Sequence, residues 1–112
     1  MGDACSLVDA FRNKERSPLE ELQASLHAIE KSSLNAFSFV DPEGATQRAK
    51  SADVSKPFGG IPLGVKELDA VLGWPYTEAC VVFADRKATH TSVMVQRATQ
   101  TGGANAIGLC TA

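Results

Sequence analysis

No apolar run in the sequence approaches the ~20 residues that a helix needs to cross a bilayer, so no membrane span is expected. The start, Met1-Gly2-Asp3-Ala4-Cys5-Ser6, is acidic and lacks the basic head and apolar core of a secretion signal. Met1-Gly2 with Ser6 matches a myristoylation start only faintly. Cysteine is scarce: Cys5, Cys80 and Cys110 are odd in number, far apart, and free of any Cys-x-x-Cys or Cys/His ligand spacing. That argues against a zinc site and fits free thiols in a reducing cytoplasm. Histidine is scarcer still, with His27 and His90 read as surface or packing residues. Positive charge is not concentrated: the net charge is -2 and Lys and Arg are scattered. A nucleic-acid binder shows a clustered basic face, so no nucleic-acid partner is expected. Internal repeats and low-complexity tracts are absent.

What is present suits one soluble globular unit over residues 1–112, with 44% hydrophobic residues. Residues 1–55 read as mainly helical and residues 56–112 as strand, loop, helix and strand. Leu7, Val8 and Phe11 give a first helix over about residues 4–15. Ser17, with Pro18 next and Glu20 three positions on, is a capping box with proline at the first helical position. Leu19, Leu22, Leu26 and Ile29 then line one face to about residue 31. Phe37, Phe39 and Val40 form an extended apolar piece. Asp41 caps a helix that starts at Pro42 and presents Ala45, Ala49 and Ala52, through about residue 53. Residues 61–66 read as a buried strand, Val81-Val82-Phe83 as a short extended piece, and Thr91 to about Thr101 as a helix with Gly102 at a left-handed end. Residues 104–110 read as a second buried strand. A strand, a helix and a strand in that order predict a parallel crossover.

The informative stretch is Gly59-Gly60-Ile61-Pro62-Leu63-Gly64-Val65-Lys66-Glu67-Leu68. Its lysine follows an alternating apolar run, so the stem is expected to enter a packed environment. Burying an ammonium is costly unless it is paired or loses its proton, and a neutral amine is a base. Spacing alone also allows a lysine at a strand end whose head reaches solvent. A phosphate-binding loop is not supported, because Val65 separates Gly64 from Lys66 and Glu67 follows. Nothing marks a pyridoxal phosphate cradle, and no cofactor is expected. Glu67 and Asp69 could form an acid/base pair, or one could bond loop amides while the other faces solvent. Trp74 and Tyr76 could line a substrate mouth or pack the loop.

Residues 60–68 closely resemble the lysine motif of the amidase signature family. Leu34-Asn35-Ala36-Phe37, Asp41-Pro42-Glu43-Gly44-Ala45, Gly73-Trp74-Pro75-Tyr76-Thr77, Phe83-Ala84-Asp85, Gly102-Gly103-Ala104 and Ile107-Gly108-Leu109-Cys110-Thr111-Ala112 are similar to its flanking segments. One departure is Glu78-Ala79-Cys80, where many relatives carry Gly-Ser after the threonine. The resemblance implies an α/β fold: N-terminal helices, then the βαβ start of a mixed sheet, incomplete in this chain. It also implies hydrolysis of carboxamide C–N bonds without metal or cofactor, with a small-molecule amide as substrate. Lys66 stands where the family has its catalytic lysine, the base that serves two serines. Those serines belong to a Gly/Ser-rich stretch further downstream, and Ser51, Ser55 and Ser92 do not substitute for them. These 112 residues are therefore expected to be the front piece of a larger enzyme and inactive alone. The alternative is a non-catalytic truncated homologue that works as an interaction module, through a strand edge open to a partner or to a second copy. A transamidating enzyme component that passes ammonia to a charged transfer RNA is a weaker alternative within the family.

Overall fold

A computed structural model describes residues 2–111. Four helices and three strands run in the order α1 (Ala4–Arg12), α2 (Pro18–Lys31), β1 (Phe37–Val40), α3 (Pro42–Lys50), β2 (Pro62–Lys66), α4 (Val93–Gln96) and β3 (Asn105–Cys110). The fold is mixed α/β, as the sequence predicts. The strands form one sheet in the order β1-β3-β2. β3 pairs parallel with β2 and antiparallel with β1. The antiparallel partner is the addition that periodicity does not reveal.

β3 is central because both of its faces can be buried. Residues Asn105 through Leu109 are all buried, as a strand covered on two sides requires. On one face Ile107 packs with Leu22, Ala45 and Ala49. On the other, Leu109 and Ala106 pack with Val65 and Val95, and Phe39, Leu63, Val71 and Trp74 close around them. Leu22 and Leu109 are fully buried, each worth about 1.5–3 kcal/mol in removal from water. The one polar side chain inside β3 is satisfied: Asn105 donates to Ala45 O at 2.9 Å and accepts from Arg48 Nε at 3.0 Å.

Local signals fix the helix starts. Ser17 accepts from the Glu20 amide at 3.0 Å, and the Glu20 carboxylate accepts from the Ser17 amide at 3.0 Å. The capping box is complete. Ser17→Ala is expected to lower stability by about 1 kcal/mol, read as a lower urea midpoint with unchanged slope. Asp41 caps α3 by accepting from the Gly44 amide at 3.2 Å. α1 ends sooner than its apolar spacing predicts, because Lys14 turns left-handed at φ 60. α3 ends at Lys50, ahead of Ala52, where the Ser51 hydroxyl turns back to Gln47 O at 3.3 Å.

Two expectations are corrected further along. Val81–Phe83 is a 3-10 turn, not an extended piece. Successive bonds from Phe83 N to Cys80 O (2.9 Å) and Ala84 N to Val81 O (3.1 Å) wind it up, and no strand among the described residues lies alongside to pair with it. Val81 and Val82 are consequently exposed. Gly102 is right-handed at φ -76, and Gly103, at φ +81, takes the left-handed position. The cause is a π turn over Arg97–Thr101, closed by Gly102 N to Arg97 O at 2.8 Å. One extra residue in that turn delays the exit from the helix by one position. Helix α4 itself begins after Ser92, whose hydroxyl accepts from the Val95 amide at 3.4 Å.

Candidate active site around Lys66

The loop before β2 is fastened on three sides. Arg12 of α1 donates to the carbonyls of Val54, Ser55 and Lys56 at 2.9, 3.3 and 3.1 Å. Lys56 Nζ donates to Gln100 O at 2.7 Å. Gly60 lies at φ +86 against Pro18, so a Cβ there would sit 2.6 Å from Pro18 Cγ. Only glycine meets both demands. The Asp53 carboxyl in this loop is held below its ordinary value, first by the Ser55 hydroxyl and then by the Ser55 amide. Hydrogen bonds from Gly60 N to Gly103 O (3.0 Å) and Asn105 N to Ile61 O (2.8 Å) then feed the chain into the parallel ladder.

That ladder carries Lys66 to the C-terminal end of β2, in register with Cys110 of β3. Open sheets place ligands outside this end of parallel strands. The burial pattern alternates: Val65 is buried at 3% exposure, Lys66 is exposed, and Glu67 is buried at 7%. The expectation of a packed environment for the Lys66 stem is therefore not met. The alternation that puts Val65 inside puts Lys66 on the opposite, open face. Among the described residues its ammonium makes no hydrogen bond, and no serine reaches it. Gly64, two positions earlier on that face, leaves no gap: a Cβ there would lie 2.7 Å from Cys110 Sγ and 3.1 Å from the Phe37 ring.

Glu67 and Asp69 do not form a pair. Glu67 accepts from the Ser38 hydroxyl of β1, and its amide donates to Cys110 O at 3.0 Å. Asp69 closes a turn through its amide to Lys66 O at 2.9 Å. The link to Ser38 crosses the whole sheet, and no sequence signal announces it. Trp74 packs inside: its ring lies 5.2 Å from Phe39, tilted by 55°. Tyr76 is half-buried, with Arg86 4.4 Å over its ring and His90 edge-on at 6.1 Å. His27 is exposed on α2. Among the described residues no group of three or more His, Cys, Asp or Glu is placed to hold a metal ion. Cys5, Cys80 and Cys110 are free thiols. No helix among the described residues is long and apolar enough to cross a membrane.

The Glu78-Ala79 departure lies in a tight turn closed by Cys80 N to Thr77 O at 2.9 Å. Glu78 and Ala79 are both left-handed, at φ 51 and 58. Glu78 is retained by its ion pair with Arg86 at 2.6 Å, whereas the Ala79 methyl has no such tie. A left-handed L-residue costs roughly 1–2 kcal/mol, against about 0.5–1 kcal/mol for the added freedom of glycine. Ala79→Gly is therefore expected to stabilise the chain by about 0.5–1 kcal/mol, seen as a raised urea midpoint.

Comparison with known proteins points one way. The amidase family model matches residues 20–109. The A component of glutamyl-tRNA(Gln) amidotransferase from Akkermansia muciniphila is 34% identical over 96 residues, covering 85% of this chain and 20% of that protein. Its counterpart in Rhodopseudomonas palustris is 37% identical over 93 residues, covering 77% of this chain and 19% of that protein. The chain thus spans about a fifth of the length of these curated relatives. Among solved structures, a bacterial aryl acylamidase of the amidase signature enzymes superposes with a TM-score of 0.87 at 20% identity, over 97% of this chain and 25% of that one. A 6-aminohexanoate cyclic dimer hydrolase superposes with a TM-score of 0.86 at 22% identity, over 97% of this chain and 23% of that one. At those identities the superpositions speak for the fold.

Proposed function

This chain belongs to the amidase family, and on that premise we propose that it carries the base-bearing part of a site that cleaves carboxamide C–N bonds. The observation that supports this reading is the position of Lys66. It stands free and uncommitted among the described residues at the C-terminal end of β2, beside the central strand, within the residues that the family model matches. A serine hydroxyl is a weak nucleophile until a base takes its proton. Lys66 is that base in the Ser-Ser-Lys arrangement of the family, relaying through one serine to the nucleophile. Both serines come from polypeptide that completes the fold, as the greater length of the relatives allows. The reaction is attack of the serine oxygen on the amide carbon, departure of the amine with a proton, and hydrolysis of the acyl-enzyme by water.

The test uses the protein made from its complete reading frame, with a small primary carboxamide and glutamine as substrates. Ammonia release that is lost in Lys66→Ala is the expected result. No ammonia from either substrate, or equal release by Lys66→Ala, overturns the reading. The 112 residues alone are expected to release none.

A second reading has a specific observation in its favour. Val81, Val82, Leu72, Val93 and Met94 are all exposed apolar side chains, and β2 is an edge strand. A non-catalytic interaction module would use such surface to take up a partner strand or a second copy. Sizing chromatography of the chain separates the two: a stable self-associated species without turnover favours the module.

A further inference from the structure

We propose that Ser38 and Glu67 form a brace across the sheet that positions Lys66. The inference rests on the reading of Lys66 as the catalytic base. Three observations carry it. The first is the β1–β3 register: Phe37 pairs with Cys110 and Phe39 with Leu109, so Ser38 is an extra residue bulged out of the ladder. A bulge of this kind re-aims a side chain. Here it sends the Ser38 hydroxyl over Leu109 O, at 3.4 Å, to the Glu67 carboxylate. The second is burial. Glu67 is one of two buried polar residues in the chain's described core, and its described side-chain partner is Ser38. A buried carboxylate without a donor is costly; Ser38 is itself exposed, so on its loss Glu67 exchanges a fixed hydroxyl for mobile water. The third is the freedom of Lys66. Among the described residues its own side chain is tied to nothing, so the backbone at Lys66-Glu67 is what fixes where the stem leaves the strand.

The brace joins all three strands. Ser38 stands on β1, Leu109 and Cys110 on β3, and Glu67 immediately follows β2. The Glu67 amide is held by Cys110 O at 3.0 Å, on the same residue that faces Lys66 in register. A small rotation there is amplified along the four-carbon stem of the lysine. Misplacing a reacting group by ~1 Å can cost ~100-fold in rate. Ser38 and Glu67 touch neither substrate nor nucleophile in this scheme; they are positioning residues.

The experiment compares Ser38→Ala, Glu67→Ala and Glu67→Gln in the protein made from its complete reading frame. Ser38→Ala and Glu67→Ala are expected to lower kcat by about 10- to 100-fold while KM stays within about twofold. Glu67→Gln keeps an acceptor oxygen for Ser38 and recovers most of the loss. The combined Ser38→Ala/Glu67→Ala protein loses no more than Glu67→Ala alone, because the two residues act as one unit. A second readout needs no turnover. Trace acetylation with acetic anhydride, read by peptide mass spectrometry, measures Lys66 against the exposed Lys14 and Lys31. Relative labelling of Lys66 is expected to change in Ser38→Ala and to return toward the original in Glu67→Gln. Unchanged Lys66 labelling in Ser38→Ala overturns the brace, whether or not the protein is active. Absence of amide cleavage with altered labelling overturns the base assignment and leaves the brace standing.

Discussion

Lys66→Met is expected to lower kcat/KM for carboxamide cleavage by about 10²–10⁴-fold in the protein made from its complete reading frame, the usual contribution of a general base. Methionine keeps the length of the stem and removes the amine. Because Lys66 is exposed and makes no hydrogen bond among the described residues, the 112-residue chain should lose little, and its own urea midpoint should stay near that of the original. Lys66→Arg separates the two tasks a cation could perform. Arginine keeps the positive charge but stays protonated at any working pH. It cannot accept a hydroxyl proton, so it should be as impaired as methionine. Rescue by arginine would make Lys66 an electrostatic group and not a base.

The largest expected loss of stability comes from Leu109→Ala. Leu109 is fully buried at the centre of β3 and packs with Val65, Val95 and Ala106. Truncating such a leucine typically costs about 2.7–5 kcal/mol, the transfer term plus a cavity the neighbours cannot close. Here closure is hindered on both sides. The strand is pinned by ladders to β1 and β2, and the adjacent Gly108 lies so close to the Phe39 carbonyl that no Cβ would fit between them. Marginal domains hold about 5–15 kcal/mol in all. Urea unfolding followed by Trp74 fluorescence should show a large drop in midpoint. A change below 1 kcal/mol, on the order of a surface substitution, would mean that the sheet is packed differently.

What is legible in the sequence is local. Ser17-Pro18 with Glu20, and Asp41-Pro42, mark helix starts within four residues, and both caps form. The alternating run into Lys66 and the apolar run over residues 104–110 mark the parallel pair, and the two strands lie side by side. What stays hidden depends on partners far along the chain. Val81-Val82-Phe83 has strand composition, but composition cannot say that no neighbour is available. The exposure of Lys66 escapes a period-2 reading, which gives two faces without saying which one is covered. The position of β1 beside β3 follows from packing and not from any turn signal. The Ser38–Glu67 contact joins residues 29 apart, and a lone serine in a strand carries no mark of it.

The place of β3 in the sheet sets the order in which this fold can be made. Both of its neighbours precede it in the sequence, and the Ser38–Leu109 contact spans 71 residues. As a ribosome delivers the chain, α1, α2 and α3 can coil early, while β1 and β2 wait with open edges until residues 105–110 emerge. Closing such long loops makes assembly slow compared with helical bundles of equal size. Nascent chains stalled before Asn105 should therefore be the species that chaperones hold and proteases cut.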